Sequence, residues 1–389
     1  MAGSPVRPLP LGAFPLPFGF LLLPPGEETE SVRLGLLAGR LPERWPPALH
    51  GHQAALARDL DAARAAFGGA DPVSRFNRFV LDPETVDPAG HDEEIRALLL
   101  AATAVESLSS PAGLSSPQGL REAISAARPV SPALAGVLHG ALAQACKEAG
   151  DPAAAVAALQ AGIALLAETD LAVAQAEQHL ELAATYHELA ADAQAGGASG
   201  TMMAPGLLGQ AGQHYHSALQ EVDAESAAEV WAAAHAGLGT AYLTMPMTQA
   251  GDQLRLGVAV GSQRAALTVY TPRTHPAQWS SAQLNLANAL VYAPSKHQGD
   301  NLTEAVELYE AVLGARGRQA DPVGYARALA NQGNALAHLG LFEQARAKLA
   351  EARYLFEESQ DWSALTTVRT LLDDLARQQK SVREVTTDA

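Results

Sequence analysis

The chain has one cysteine in 389 residues, Cys146. A single cysteine closes no internal disulfide, and no Cys/His cluster has the spacing of a zinc site. Cys146 falls inside a helical pattern and reads as a small core residue, compatible with a reducing cytoplasm. Aromatic residues are only 5% of the chain, and strand formers thin out after about residue 90. Alanine is abundant instead, and alanine is the best helix former. Basic residues are scarce too: 26 Lys and Arg stand against 42 Asp and Glu, a net charge of -16. Such a surface repels phosphate backbones and anionic membranes, so neither nucleic acid nor membrane is expected as a partner. A basic or neutral protein is easier to accommodate.

No hydrophobic run is long enough to span a bilayer. Leu11 to Leu23 is apolar with Arg7 ahead of it, but Pro15, Pro17, Pro24 and Pro25 interrupt or follow the run, and no small-residue cleavage site appears. It reads as an extended, partly buried segment with a strand through Phe18–Leu23; an export signal is the alternative. Catalytic signatures are missing as well. There is no P-loop, no dinucleotide-binding glycine motif after a strand, no H-E-x-x-H, no G-x-S-x-G elbow and no kinase set. The glycine cluster Gly196–Gly200 follows a helix and reads as a flexible insertion. His50/His52 and His214/His216 diverge at i, i+2 on a helix, and read as surface or core histidines. No enzyme activity, cofactor or metal is expected.

Residues 1–90 are rich in proline and set apart from the rest, a small α/β or irregular N-terminal module. They hold one helix candidate, Pro47 to Phe67, ended by Gly68-Gly69. Ser74–Leu81 suits a strand or a short helix. Asp82–Gly90 carries breaker residues and reads as a linker. A helix from Asp92 to about Leu108, a loop over Ser109–Pro117 and a short helix over Gly119–Ala127 form a degenerate hairpin.

From about Ser131 the chain repeats a helix pair with small residues at fixed offsets. The first copy has Ala143, Cys146, Gly150, Ala155, Leu159 and Gly162. The second has Ala183 and Tyr186, then Ala211, Tyr215 and Ala218. The third has Gly239 and Tyr242, then Ala259 and Ala266. The fourth has Ala287 and Leu290, then Ala305, Tyr309 and Val312. The last has Gly333, Leu336, Gly340, Phe342, Ala345, Leu349 and Ala352. This pattern resembles the tetratricopeptide repeat, a unit of about 34 residues with small residues where its two helices cross. The resemblance implies a mostly α fold: a right-handed α-solenoid of about five helix pairs over residues 91–380. Trp362–Gln379 is the expected cap helix, and 381–389 a frayed tail. The middle copies carry insertions at Ala195–Gly206, Thr244–Gln253 and Ala293–Gly299.

Stacked helix pairs produce a concave wall lined, in that family, by the first helix of each pair. Two such helices read Asn285-Leu-Ala-Asn288 and Asn331-Gln-Gly-Asn334, at equivalent positions. Asparagine offers a donor and an acceptor, and so pairs with a peptide unit whatever its side chain. The resemblance implies that Asn285, Asn288, Asn331 and Asn334 hold a ligand backbone; the alternative is that they satisfy neighbouring helices. Arg327, His338, Gln283 and Tyr292 fall on or near the same faces. Arg327 suits a ligand carboxylate or a nearby acid of the chain itself. The basic residues of a chaperone-type carboxylate clamp are largely missing, so a chaperone-tail receptor is not expected. Glu177, Glu181 and Glu188 lie near one helix face, an acidic contact surface or a solvated one. His179 and His187 on that helix are about 12 Å apart along the axis, too far to share one ion without other ligands. The expected function is a non-catalytic scaffold or adaptor that binds a protein or peptide segment in the cytoplasm. The alternative is a ligand-responsive regulator, or an accessory subunit of an enzyme system, with a small molecule between the N-terminal module and the solenoid. Self-association is a further option.

Overall fold

The structure, a computed structural model, describes residues 9–11, 21–24, 26–29, 31–32, 41–82, 96–97, 99–101, 117–195, 198–247 and 253–387. It divides into two compact units, Met1–Leu171 and Ala172–Ala389. Among the described residues no helix is long and apolar enough to cross a membrane.

The first unit opens with two short antiparallel strands, β1 (Leu9–Leu11) and β2 (Leu21–Leu23), with Leu9 opposite Leu23. The strand expected over Phe18–Leu23 is thus present in its last three residues; Phe18–Phe20 lie outside the described residues. The single helix expected from Pro47 to Phe67 is broken. A 3-10 turn (Pro47–Leu49) leads into α1 (His50–Leu56), and α2 (Leu60–Ala66) follows after a turn. Arg58 takes a positive φ of 61° at the break, and the Asp59 carboxylate then caps α2 by accepting from Ala62 N–H. Ser74–Leu81 is helical, within α3 (Pro72–Leu81), whose N-cap Asp71 accepts from Ser74 N–H. Leu21 and Leu22 of β2 pack with Phe67, Phe76, Phe79 and Val80.

A hydrogen-bonded knot holds β2 in place. Asn77 accepts from Leu22 N–H at 2.7 Å and donates to Leu22 C=O at 2.8 Å, as a neighbouring strand would. His52 Nε2 lies 2.8 Å from the same carbonyl, which makes that nitrogen the protonated one. Both side chains are buried, so His52 is a core histidine. All but Asp82 of the expected linker at Asp82–Gly90, much of the helix expected over Asp92–Leu108, and the loop up to residue 116 lie outside the described residues. Then come α4 (Pro117–Ala127) and the first repeated pair, α5 (Pro132–Glu148) and α6 (Pro152–Leu166). Gly150 makes the turn at φ +75°, with Asp151 N–H bonded back to Cys146 C=O.

The second unit is a row of helices: α7 (Ala172–Ala195), α8 (Ala198–Glu221), α9 (Ala228–Thr244), α10 (Gln253–Ala266), α11 (Pro276–Tyr292), α12 (Gln298–Ala315), α13 (Pro322–His338), α14 (Phe342–Glu358) and α15 (Trp362–Thr387). Each packs on its neighbours in sequence. The first helix of each pair also touches the first helix of the next, α7 with α9, α9 with α11, and α11 with α13, while α13 meets the terminal helix α15. These helices therefore form one continuous layer. The small residues of the repeat sit where helices cross. A Cβ on Gly333 would stand 2.8 Å from Leu349, its partner across the α13–α14 crossing.

The insertion at Ala195–Gly206 is not a flexible loop. Gly196 and Gly197 lie outside the described residues, but from Ala198 onward the segment is helical, with Pro205 inside α8. The insertion lengthens both helices of its pair to 24 residues each. The terminal helix α15 continues through Thr387, beyond its expected end at Gln379.

Candidate functional site

The candidate site is the face of α9, α11 and α13 that carries the two asparagine pairs. Aligned on Gly239, Ala287 and Gly333, the three helices place Gly237, Asn285 and Asn331 at one position. Thr240, Asn288 and Asn334 follow at a second, three residues on. All four asparagines are half-buried, and they are joined from one helix to the next. Asn285 Nδ2 donates to Thr240 Oγ1 of α9 at 2.9 Å. Asn331 Nδ2 of α13 donates to Asn288 Oδ1 of α11 at 2.9 Å. One turn further along, Asn334 Nδ2 donates to the Tyr292 hydroxyl at 3.1 Å. The amides thus form a ladder across the layer.

The ladder is braced from beneath by the second helices of the pairs. Tyr215 on α8, Gln263 on α10 and Tyr309 on α12 occupy equivalent positions, and all three are buried. Tyr309 donates its hydroxyl to Asn288 Oδ1 at 2.6 Å. Gln263 Nε2 donates to Ala236 C=O at 3.0 Å and to Thr240 Oγ1 at 3.4 Å. The Tyr215 ring rises behind Gly237, where an added Cβ would stand 2.3 Å from it. Burial pushes the Tyr215 phenol up to about 12, with the Glu181 and Glu188 charges adding to the effect. Burial pushes the Tyr309 phenol up as well, so it stays a donor. Sequence reasoning placed Tyr215 and Tyr309 in the repeat but missed this bracing. A polar residue recurring at one core position of three copies was the available signal.

Each asparagine spends one side of its amide on the ladder. Asn288 accepts twice through Oδ1, so its Nδ2 protons point away from Tyr309 and Asn331. Asn285, Asn331 and Asn334 donate through Nδ2, and among the described residues no donor meets their Oδ1 atoms. The face therefore presents donor and acceptor groups without formal charge, and α11 carries no Asp, Glu, Lys or Arg at all.

The remaining expected residues fall around this face. Tyr292 is 60% exposed and supplies a large exposed aromatic. Gln283 has a buried Oε1 with no partner among the described residues. Arg327, exposed, sits 3.4 Å from Asp361, so it faces an acid of its own chain. His338 is exposed at the end of α13. Glu177, Glu181 and Glu188 lie on α7, and burial raises the Glu177 carboxyl above its ordinary value.

The structure also joins two histidines that the sequence kept apart. His179 Nδ1 of α7 lies 3.0 Å from His214 Nδ1 of α8, and Tyr186 stacks on the His214 ring. One proton is shared between the two nitrogens. Burial lowers both imidazoles, and the neighbouring His214 helps to bring His179 down to about 4. Among the described residues no three ligating side chains gather into a metal site.

No protein-family model matches the chain, and no curated protein matches it. Solved structures similar to it include two tetratricopeptide-type proteins. One is a signal transduction ATPase with numerous domains that carries a tetratricopeptide repeat sensor, from Pyrococcus horikoshii. It is 12% identical over 84% of this chain, with a TM-score of 0.40, and this chain spans 46% of its length. The other is a Rap protein complexed with competence and sporulation factor, 11% identical over 85% of this chain and 97% of its own, with a TM-score of 0.40.

Proposed function

We propose that the helix pairs are tetratricopeptide repeats and that the α9–α11–α13 face binds an extended segment of a partner protein. The observation that supports this most is the asparagine ladder. Four half-buried amides are fixed by their neighbours yet keep hydrogen-bonding capacity on the open side. Fixed amides bind without first losing rotamer freedom, which lowers the entropic cost of association. An uncharged row of donors and acceptors suits peptide units, each of which carries one N–H and one C=O. Tyr292 adds an aromatic surface for one ligand side chain. The chain then acts as a scaffold or adaptor.

Selection from a randomised peptide display library tests this reading. The bait is the wild-type protein or an Asn288→Ala/Asn334→Ala variant, with helicity and melting checked for both. Peptides enriched by the wild type and lost with the folded variant support the reading. Enrichment that the variant retains places binding elsewhere.

A further inference from the structure

The first unit holds a second concentration of polar groups, remote in sequence from the asparagine ladder. Arg121, Ile124, Ser125 and Arg128 recur at helical spacing, so the first three share one face of α4 and Arg128 continues it past the helix end. Opposite them stand His139 and Leu142 of α5. Together with Pro129 they line a cavity of about 440 Å³, and among the described residues its lining holds no carboxylate. The nearest acid of α4, Glu122, lies in the neighbouring cavity and accepts from Gln118.

Two positive charges share this lining on a chain with a net charge of -16. Elsewhere Arg264, Arg316, Arg318 and Arg369 each face a carboxylate. Among the described residues no carboxylate pairs with Arg121 or Arg128. His139 Nδ1 is buried without a hydrogen-bond partner among those residues, and an unmet buried polar atom costs free energy.

We infer that this cavity is a binding site for a small oxyanion, a phosphate- or carboxylate-bearing molecule held between Arg121 and Arg128. The guanidinium fork matches either group in two-point contact. Ser125 supplies a neutral hydroxyl donor, and Leu142 and Ile124 form an apolar wall for the rest of the ligand. The volume suits a molecule of metabolite size. Burial first, and then the charge of Arg128, hold the His139 imidazole below its ordinary value. An anion beside Arg128 offsets that charge, so binding raises the His139 midpoint.

Calorimetric titration of the full-length protein with inorganic phosphate, and separately with succinate, tests the site. Proton NMR follows the His139 ring in parallel. At least one anion binds the wild type, and the one that binds tells phosphate from carboxylate. Arg121→Gln/Arg128→Gln weakens it roughly 10- to 100-fold. The His139 midpoint rises when the wild type is saturated. Failure of both anions to bind overturns the proposal, as does equal binding by the variant. Binding that leaves the His139 midpoint unmoved also overturns it, and that readout needs no variant to fold.

Discussion

Tyr309 and Asn288 are joined by a 2.6 Å hydrogen bond in which the buried phenol donates to the amide oxygen. That bond decides which half of the Asn288 amide faces outward. Tyr309→Phe keeps the ring and removes only the donor, so its cost in stability is about 1 kcal/mol. Tyr309→Ala empties a core position and costs about 3–5 kcal/mol. Urea unfolding of the two variants beside the wild type measures both. Equal losses would show that the hydroxyl carries the stability and the ring little.

Glycines of the second unit separate close packing from open helix surface. Gly237→Ala drives a methyl into the Tyr215 ring at 2.3 Å, with an expected loss of about 1–3 kcal/mol. Nothing lies within 4 Å of a Cβ on Gly257, so Gly257→Ala in α10 stabilises by about 0.5–1 kcal/mol through helix propensity alone. Opposite signs in thermal melting are the expected result.

Asn77→Ala leaves Leu22 N–H and C=O without the side chain that pairs with both. His52 still reaches the carbonyl, so the N–H is the group left unmet, and the expected loss is about 1–3 kcal/mol. Hydrogen exchange at the Leu22 amide reports it directly, and should quicken far more than exchange in α11 or α13.

The helix pairs were legible because their small residues are imposed by helix crossings, as Gly333 against Leu349 illustrates. The asparagine positions were legible for the same reason, since the repeat fixes the register. Their mutual bonding was not. Asn331 and Asn288 are 43 residues apart, and which amide atom faces outward depends on Tyr309, a residue of a different helix. The break at Arg58 was hidden because no glycine or proline marks it. The Asn77–Leu22 contact spans 55 residues and leaves no local pattern. The insertion in the second copy was misread because its glycines outweighed the alanines that carry α7 and α8 onward.

Stability should fall on mild acidification. His52, His139, His179, His187, His214 and His235 all have imidazoles lowered by burial. The unfolded chain binds their protons more readily than the folded one, so stability rises with pH through this range. The contribution is complete above the ordinary histidine value near 6.5 and is lost as pH falls below it, toward about 4 for His179. Urea midpoints at neutral pH and at about pH 5 should differ, with the acid value lower. A midpoint independent of pH over that interval contradicts the burial of these rings.

The side-chain amide NMR spectrum of the full-length protein, with and without a peptide selected from the display library, tests the central claim most directly. The account predicts that the Nδ2 protons of Asn285, Asn288, Asn331 and Asn334 shift together on binding, Asn288 most, while Asn77 in the first unit stays still. A selected peptide that binds and leaves those four amides unmoved would contradict the account.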